Sequence, residues 1–571
     1  MPPVQTSILT KMTSHPPGTI THVPRQGLFE SRRGRILLEN LTAYLFLLPA
    51  GLIIFIFGIF PVAFAFFVSL HRWRRFPDGW RGLDSYARAL GDLAYVLFFW
   101  LALGALIYGL YLLWKTFSTR IEQPHTRWLL LPGFGLAAGI GGLIHWFFAL
   151  LPVVLEVPVR LRGQATTQEI FVAEFFNSFT FPEVLAASNG LLLLVIALVI
   201  AAVTLVMLRA SPQATNVLAR GTIIGFAMLA GAWLLIVTVR DVQAAVDAAR
   251  EAGEALPIWS QVIFISAGTA LIGAAIVLWQ RSVHNHHTQR FPLRALVVVF
   301  AVVGAVFLIQ YLPLALAEAD DDVLRGFNVT VMYSAFSVPL QLALGMLLAV
   351  LLFQNVRGKS FFRVVFFMPY ITPVVATSVV FGLIFSHGAN SPANQLMTTL
   401  GIETQNWLRE PRGIFTLLFG DGVPEFLAGP GLALVVIILF NVWMYAGYSA
   451  VIFLAGLGNI SQEVYEAARI DGANGWQQFR HITLPLLSPT TFFLMLIATI
   501  GTFQAFTQIF LMRRPGAFDA VDTINLHIFD EITRDSPNYA YGTAMAFVLF
   551  AVILALTLTQ NRIAGRRVFY G

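Results

Sequence analysis

The 571-residue chain is 57% hydrophobic and only 12% charged, where a soluble domain carries roughly a quarter charged residues; this excludes an ordinary globular protein. Its net charge of +6 sits in loops between apolar runs, the pattern of a membrane protein rather than a nucleic-acid binder. It contains no cysteine, which excludes disulfides, thiol catalysis and thiolate metal sites.

Residues 1–36 are polar and proline-rich, with Arg32, Arg33 and Arg35 before the first apolar run. No short apolar stretch with a small-residue cleavage site precedes them, so they read as a cytoplasmic tail. About twelve apolar runs follow, near 44–70, 95–115, 128–151, 189–208, 221–239, 260–280, 295–317, 328–353, 364–386, 431–457, 490–512 and 540–561. Most match the ~20 residues that a helix needs to cross the hydrocarbon core. They lack the polar faces of buried soluble helices. The fold class is therefore an all-α polytopic membrane protein. Two helices sharing one hairpin would reduce the count to ten.

The Lys/Arg bias of short loops orients the spans. With the N-terminus inside, the inner loops hold Lys115, Arg120 and Arg127, then Arg209 and Arg220, then Arg281, Arg290 and Arg294, then Arg357, Lys359 and Arg363. The C-terminal tail adds Arg562, Arg566 and Arg567, and the outer loop 318–326 carries Glu318, Asp320, Asp321 and Asp322. Arg72, Arg74, Arg75 and Arg81 fall on the outer side against this rule. Five glycines, Gly133, Gly135, Gly139, Gly141 and Gly142, predict close helix packing. The stretch 241–255 reads as an outer surface helix. Pro369 and Pro373 predict a kink in their span.

Residues 458–489 form a polar break between two apolar runs, on the cytoplasmic side. Ser461 suits a helix N-cap, Gly472 a left-handed stop, and Asn474-Gly475 a turn. A second short helix over 476–483 should end at Pro485. Such a helix–turn–helix is either an interfacial reconnection of two spans or a docking surface. Glu466, Arg469 and Asp471 offer charges to a partner, and Ala467, Ala468 and Ala473 allow close approach.

The order Glu466-Ala467-Ala468, Asp471-Gly472-Ala473, Leu484-Pro485 resembles the EAA loop of binding-protein-dependent ABC importer permeases. Ser461 departs from it, standing where that family usually has proline. Residues 44–91, 327–386 and 431–561 also resemble the carbohydrate-type permeases, the subfamily of the maltose-transporter permease subunit. Residues 93–325 resemble nothing in it. The resemblance implies an ABC importer type I core of about six spans plus an inserted bundle of about six. The expected divisions are tail 1–36, first core span and outer segment 37–92, inserted domain 93–325, and permease core 326–571 with the EAA loop at 458–489. An insertion that leaves and re-enters on the outer side must hold an even number of spans, which six satisfies. It reads as a peripheral bundle, with contact to a partner as the alternative.

In that family the loop is the coupling helix, which inserts into a cleft on the ATPase. The resemblance thus implies ATPase coupling by Glu466, Ala467, Ala468, Asp471, Gly472, Ala473 and Pro485. It implies as partners a second permease subunit (a heterodimer), two ABC ATPase subunits, an extracytoplasmic substrate-binding protein and the lipid bilayer, with no nucleic acid. The expected location is the prokaryotic inner membrane, with both termini cytoplasmic. The chain itself is expected to be a translocation subunit without cofactor or catalytic residues, ATP hydrolysis belonging to partners.

For the substrate pathway, Asn441, Tyr445 and Tyr448 share one helical face. An amide can pair with sugar hydroxyls and tyrosine rings can stack on a pyranose; an interhelical bond with packing aromatics is the structural alternative. Counting from Glu466, the resemblance implies substrate contacts at Asn441, Met444, Tyr445 and Tyr448. On the next span it implies Phe503, Gln504 and Phe506, with Gln504 the best candidate there. No Lys or Arg falls inside 431–457 or 490–511, which leans toward a neutral sugar over a glycerol-3-phosphate-like solute. A secondary transporter would show internal repeats and intramembrane carboxylates, and a membrane enzyme would need an acid/base constellation at a membrane face. Gly358-Lys359-Ser360 lacks the glycine of a phosphate loop, that position being Phe353. His284, His286 and His287 have no second ligand cluster and read as a solvated loop. Asn40-Leu41-Thr42 and Asn328-Val329-Thr330 fit the glycosylation pattern but lie at span edges.

Overall fold

The computed structural model describes residues 32–73, 77–118, 124–163, 167–207, 212–253, 258–284, 290–354 and 357–563. Most of the expected tail, Arg74, Arg75, Arg120, Arg209, His286, His287, Arg566 and Arg567 lie outside them. The chain falls into two compact units, Met1–Phe64 and Ala65–Gly571. The first contains helix α1 (Arg32–Ile54) and a π-helical turn, Phe55–Ile59. That helix starts well before residue 44, because nothing between 32 and 44 breaks it. Helix α2 (Phe60–Ser69) carries the apolar run onward, and Thr42–Ser69 is the first candidate span.

The second unit continues with a two-stranded antiparallel hairpin, β1 (His71–Trp73) and β2 (Pro77–Trp80), then helix α3 (Asp84–Leu90). Arg81 pairs with Asp84 at 2.8 Å. Six long apolar helices follow: α4 (Leu93–Ser118), α5 (Leu130–Leu155), α6 (Asn189–Met207), α7 (Pro212–Glu251), α8 (Ile258–His284) and α9 (Arg290–Leu316). Glycines let their backbones touch. A Cβ on Gly142 would lie 2.6 Å from Gly190 Cα, and one on Gly133 would lie 2.8 Å from Gly221 Cα. Gly141, by contrast, faces open space.

The stretch from Asp241 is not a separate surface helix. It is the end of α7, a helix of 40 residues, because its alanine-rich sequence contains no breaker before Gly253. The chain leaves for this bundle and returns from it at one place: Asp320 N–H donates to Arg88 C=O at 3.0 Å. Leu83 N–H also donates to Asp241 Oδ2 at 2.8 Å. Val242, Ile258, Val262 and Ile265 of the bundle share one core with Leu83 and Tyr86, and with Tyr541 and Met545 of the last helix.

The main helices after the bundle are α10 (Asp321–Phe353), α11 (Lys359–Ile371), α12 (Val374–Ile384), α13 (Leu432–Gly458), α14 (Gln462–Ile470), α15 (Gly475–Leu486), α16 (Ser488–Phe503), α17 (Thr507–Met512), α18 (Ile524–Thr533) and α19 (Tyr539–Ile563), with short helices at Pro392–Thr399, Ile414–Phe419 and Phe518–Val521 between them. Asp320 caps α10 by accepting from Asp322 N–H at 3.0 Å. Two acidic residues in the first turn complement the helix dipole there. Helix α13 is the axis of this part: 61% of its apolar window is buried, against 33% or less in the other candidate spans.

Among the described residues, ten helices are long and apolar enough to cross a membrane, and two bent pairs bring the total to twelve. The run 364–386 is one of these pairs: α11 and α12 meet at 94°, because Pro373 denies the helix a backbone donor and pushes Thr372 into extended conformation. The run 490–512 is not continuous either. Helix α16 stops at Phe503, and Asn525 Nδ2 donates to the carbonyls of Phe503 at 2.9 Å and Ala505 at 3.3 Å. Those carbonyls would otherwise continue the helix. The multi-pass helical architecture is thus present, with six long apolar helices between Leu93 and Leu316.

Candidate functional site: a tyrosine-lined cavity and a polar loop

Helices α10, α13 and α16 converge with α11 and α17 on a cavity of about 140 Å³. Its lining includes Gln341, Asn441, Ser449, Thr502 and Gln508, with the rings of Tyr370, Tyr445 and Tyr448. No lining residue is charged. One hydrogen-bonded chain runs along the wall. Gln508 Nε2 donates to Tyr333 Oη at 3.2 Å, Tyr333 Oη–H donates to Asn441 Oδ1 at 2.9 Å, and Asn441 Nδ2 donates to Gln341 Oε1 at 3.0 Å. Both ends of this chain, Gln341 and Gln508, line the cavity. Ser449 Oγ lies buried without a hydrogen-bond partner. Tyr370 stacks on Tyr448 with centroids 4.6 Å apart and meets Tyr445 at 5.9 Å edge-on.

Of the expected pathway residues, the structure brings Asn441, Tyr445 and Tyr448 to this cavity. Met444 and Phe503 turn into apolar cores, at 4% and 3% exposure. Phe506 packs between Phe510 and Phe529, with centroids at 5.4 and 5.0 Å. Gln504 is exposed and does not line the cavity. Sequence reasoning missed Gln341, Gln508, Tyr333 and Tyr370. Gln341 carried a usable signal, an amide deep in an apolar run where such groups are costly in a membrane; Gln508 shares its run with Gln504, and the sequence does not choose between them.

The polar loop 458–489 is built from local signals. Ser461 Oγ accepts from Glu463 N–H at 3.2 Å. Helix α14 ends in a Schellman motif, with Gly472 at φ +82°. Ala473 N–H donates to Ala468 C=O at 2.9 Å and Gly472 N–H to Arg469 C=O at 3.0 Å. Asn474 then opens α15 with a capping box: its Oδ1 accepts from Gln477 N–H at 2.9 Å, and Gln477 Oε1 accepts from Asn474 N–H at 2.8 Å. Helix α15 does not end at Pro485. A π turn over Phe479–Thr483 precedes the proline, and the helix runs to Leu486 before a 62° bend.

Tyr465 Oη sits 2.9 Å from Thr483 Oγ1 and ties the two helices together. Glu466, Ala467, Asp471 and Gly472 are exposed, Ala473 is half-buried, and Ala468 packs inward. Ile470 and Trp476 protrude at 86% and 66% exposure, large apolar groups on an otherwise polar surface.

Residues 341–570, which hold both features, match the family described as "Binding-protein-dependent transport system inner membrane component". The lactose transport system permease protein LacF of Rhizobium radiobacter is 30% identical over 246 residues, covering 43% of this chain and 76% of that protein. The chain belongs to this permease family. The permease is also similar to the arabinooligosaccharides transport system permease protein AraP of Halalkalibacterium halodurans, at 32% identity over 41% of this chain and 69% of that one. The sn-glycerol-3-phosphate transport system permease protein UgpA of Agrobacterium fabrum is 29% identical over 44% of this chain and 79% of that protein. The permease is accordingly a multi-pass transport subunit of an ABC importer rather than a catalytic enzyme.

Proposed function

We propose that this permease forms half of the pathway of an ATP-driven importer for neutral sugars or oligosaccharides. The uncharged cavity carries this reading: amides, hydroxyls and tyrosine rings line it. Amides and hydroxyls exchange hydrogen bonds with sugar hydroxyls, and tyrosine faces cover a pyranose. A phosphate would require a cation at this depth, and none lines the wall. The names of LacF and AraP support a saccharide; the name of UgpA supports the glycerol phosphate alternative, which the uncharged lining disfavours. Asn441, Tyr445 and Tyr448 from the sequence, with Gln341 and Gln508 from the structure, are the proposed contacts; Met444, Phe503 and Phe506 pack in the apolar surroundings, and Gln504 lies off the cavity.

The exposed EAA loop, with Glu466, Asp471 and Gly472 around the protruding Ile470, docks in this reading on one of two ABC ATPase subunits in the cytoplasm. A second permease subunit completes the pathway, and an extracytoplasmic binding protein delivers the sugar. The permease sits in a prokaryotic inner membrane with both termini inside. ATP binding closes the ATPase pair, and the docked loop moves with it, switching the cavity between its two openings. In chain order, 1–36 is the tail, 37–92 and 326–571 form the core, and 93–325 is an inserted accessory bundle.

Reconstituted complex should import a neutral di- or oligosaccharide and not glycerol-3-phosphate. Preferential glycerol-3-phosphate uptake would overturn the substrate assignment. Glu466→Ala combined with Gly472→Pro should abolish co-purification of the ATPase. Retained ATPase and uptake would overturn the coupling assignment.

A further inference from the structure

Where α11 crosses α13, the two backbones touch. A Cβ built on Gly447 would overlap the Phe366 carbonyl and lie 3.2 Å from Phe367 Cα. Any side chain at 447 must therefore push α11 outward, since backbone atoms cannot swing aside as a side-chain tip can. Phe366 and Tyr370 are one turn apart and share a face of α11. The face seated on Gly447 thus also holds Tyr370, whose ring stacks on Tyr448 and meets Tyr445, all three lining the cavity. Two residues beyond Tyr370 the helix breaks, at Thr372-Pro373, into the 94° elbow with α12. The ring therefore sits near the end of a short helix whose face is seated on the Gly447 notch.

We infer that Gly447 is a positioning residue for transport: its missing side chain seats α11 so that Tyr370 closes the cavity as a lid on Tyr448. The inference rests on the sugar-pathway reading of the cavity. Because the chain contains no cysteine, a Tyr370→Cys/Tyr448→Cys pair is the only thiol pair in the subunit and reports how closely α11 is seated on α13 at these two positions. In the assembled complex in membranes, oxidative cross-linking of this pair should fall several-fold when Gly447→Ala is added. Unchanged cross-linking overturns the inference, whatever solute passes. Reduced cross-linking with unaltered sugar uptake supports the seat and overturns the pathway reading instead.

In uptake assays Gly447→Ala should raise KM about tenfold with a smaller change in maximal rate. Adding Tyr370→Ala should cost nothing further, the non-additivity expected of one unit acting through one ring. Independent, multiplying effects overturn the claim that Gly447 acts through Tyr370. Tyr370→Phe and Tyr370→Ala leave the crossing intact and test the lid even where Gly447→Ala fails to assemble. KM should rise only in the alanine variant, and equal effects in the two overturn the lid.

Discussion

At the scale of single residues, the cavity wall depends on Asn441, which accepts from one buried neighbour and donates to another. Asn441→Ala takes the acceptor from the Tyr333 O–H, which still accepts from Gln508, and the donor from the Gln341 carbonyl oxygen, at a cost of about 1–3 kcal/mol for each buried group left without its partner. The detergent-solubilised complex should lose thermal stability accordingly, and uptake should fail. Gln508→Ala should impair uptake as well, whereas Gln504→Ala should leave uptake and stability near wild type, because Gln504 lies off the cavity. These two glutamines are four residues apart in one stretch. The helix break between them, where Asn525 binds the freed carbonyls of Phe503 and Ala505, goes with which one reaches the wall, and no pattern within the run encodes that.

Outside the spans, burial pushes the Asp522 carboxyl up to about 6, against the opposing pull of Arg513. Asp522 Oδ1 is buried without a hydrogen-bond partner, while Oδ2 accepts from Arg513 at 3.3 Å. The folded form therefore keeps this proton at pH values where an unfolded chain, with a pKa near 4, has released it. Its contribution to stability is present below about pH 4 and is lost as the pH rises through about 6. Thermal midpoints between pH 5 and 7.5 should fall in the native protein and flatten in Asp522→Asn.

At the scale of elements, most of the polar loop was legible because its signals are local. Serine, glycine and asparagine each act on backbone groups within five residues, so Ser461, Gly472 and Asn474 announce their own hydrogen bonds. The π turn before Pro485 was not legible, since it depends on how α15 meets α16. Asn474→Ala removes the capping box and should cost about 1 kcal/mol locally. Hydrogen exchange at Trp476, Gln477 and Gln478 should quicken about fivefold, with the membrane helices unaffected. The spans were legible as apolar runs. The elbow at Thr372-Pro373 was legible as a kink but not as a right angle, because a proline marks where a helix breaks and not the direction in which the next one leaves.

At the scale of the whole molecule, the junction at Arg88 and Asp320 makes the six helices α4–α9 a side branch, although their seam with the rest is apolar. Replacing 93–318 by a short Gly/Ser linker should leave the ATPase bound on co-purification. It should also lower the thermal midpoint, because Val242, Ile258, Val262 and Ile265 no longer cover Leu83, Tyr86 and Tyr541. Loss of ATPase binding in that variant would show that the core does not stand without the bundle. The seam was not legible in the sequence. The polar end of α7 reads as a free surface helix until Asp241 is seen bonded to Leu83.

That helix, with 40 residues, is about 60 Å long, roughly twice the hydrocarbon thickness. A helix of that length exceeds the apolar layer, and Asp241 in its polar last part accepts from Leu83 N–H of the core. This clip acts as a depth gauge: it fixes the height of the bundle against the height of the core. In a thinner or thicker bilayer neither part can sink or rise alone, so mismatch must be met by tilting both together.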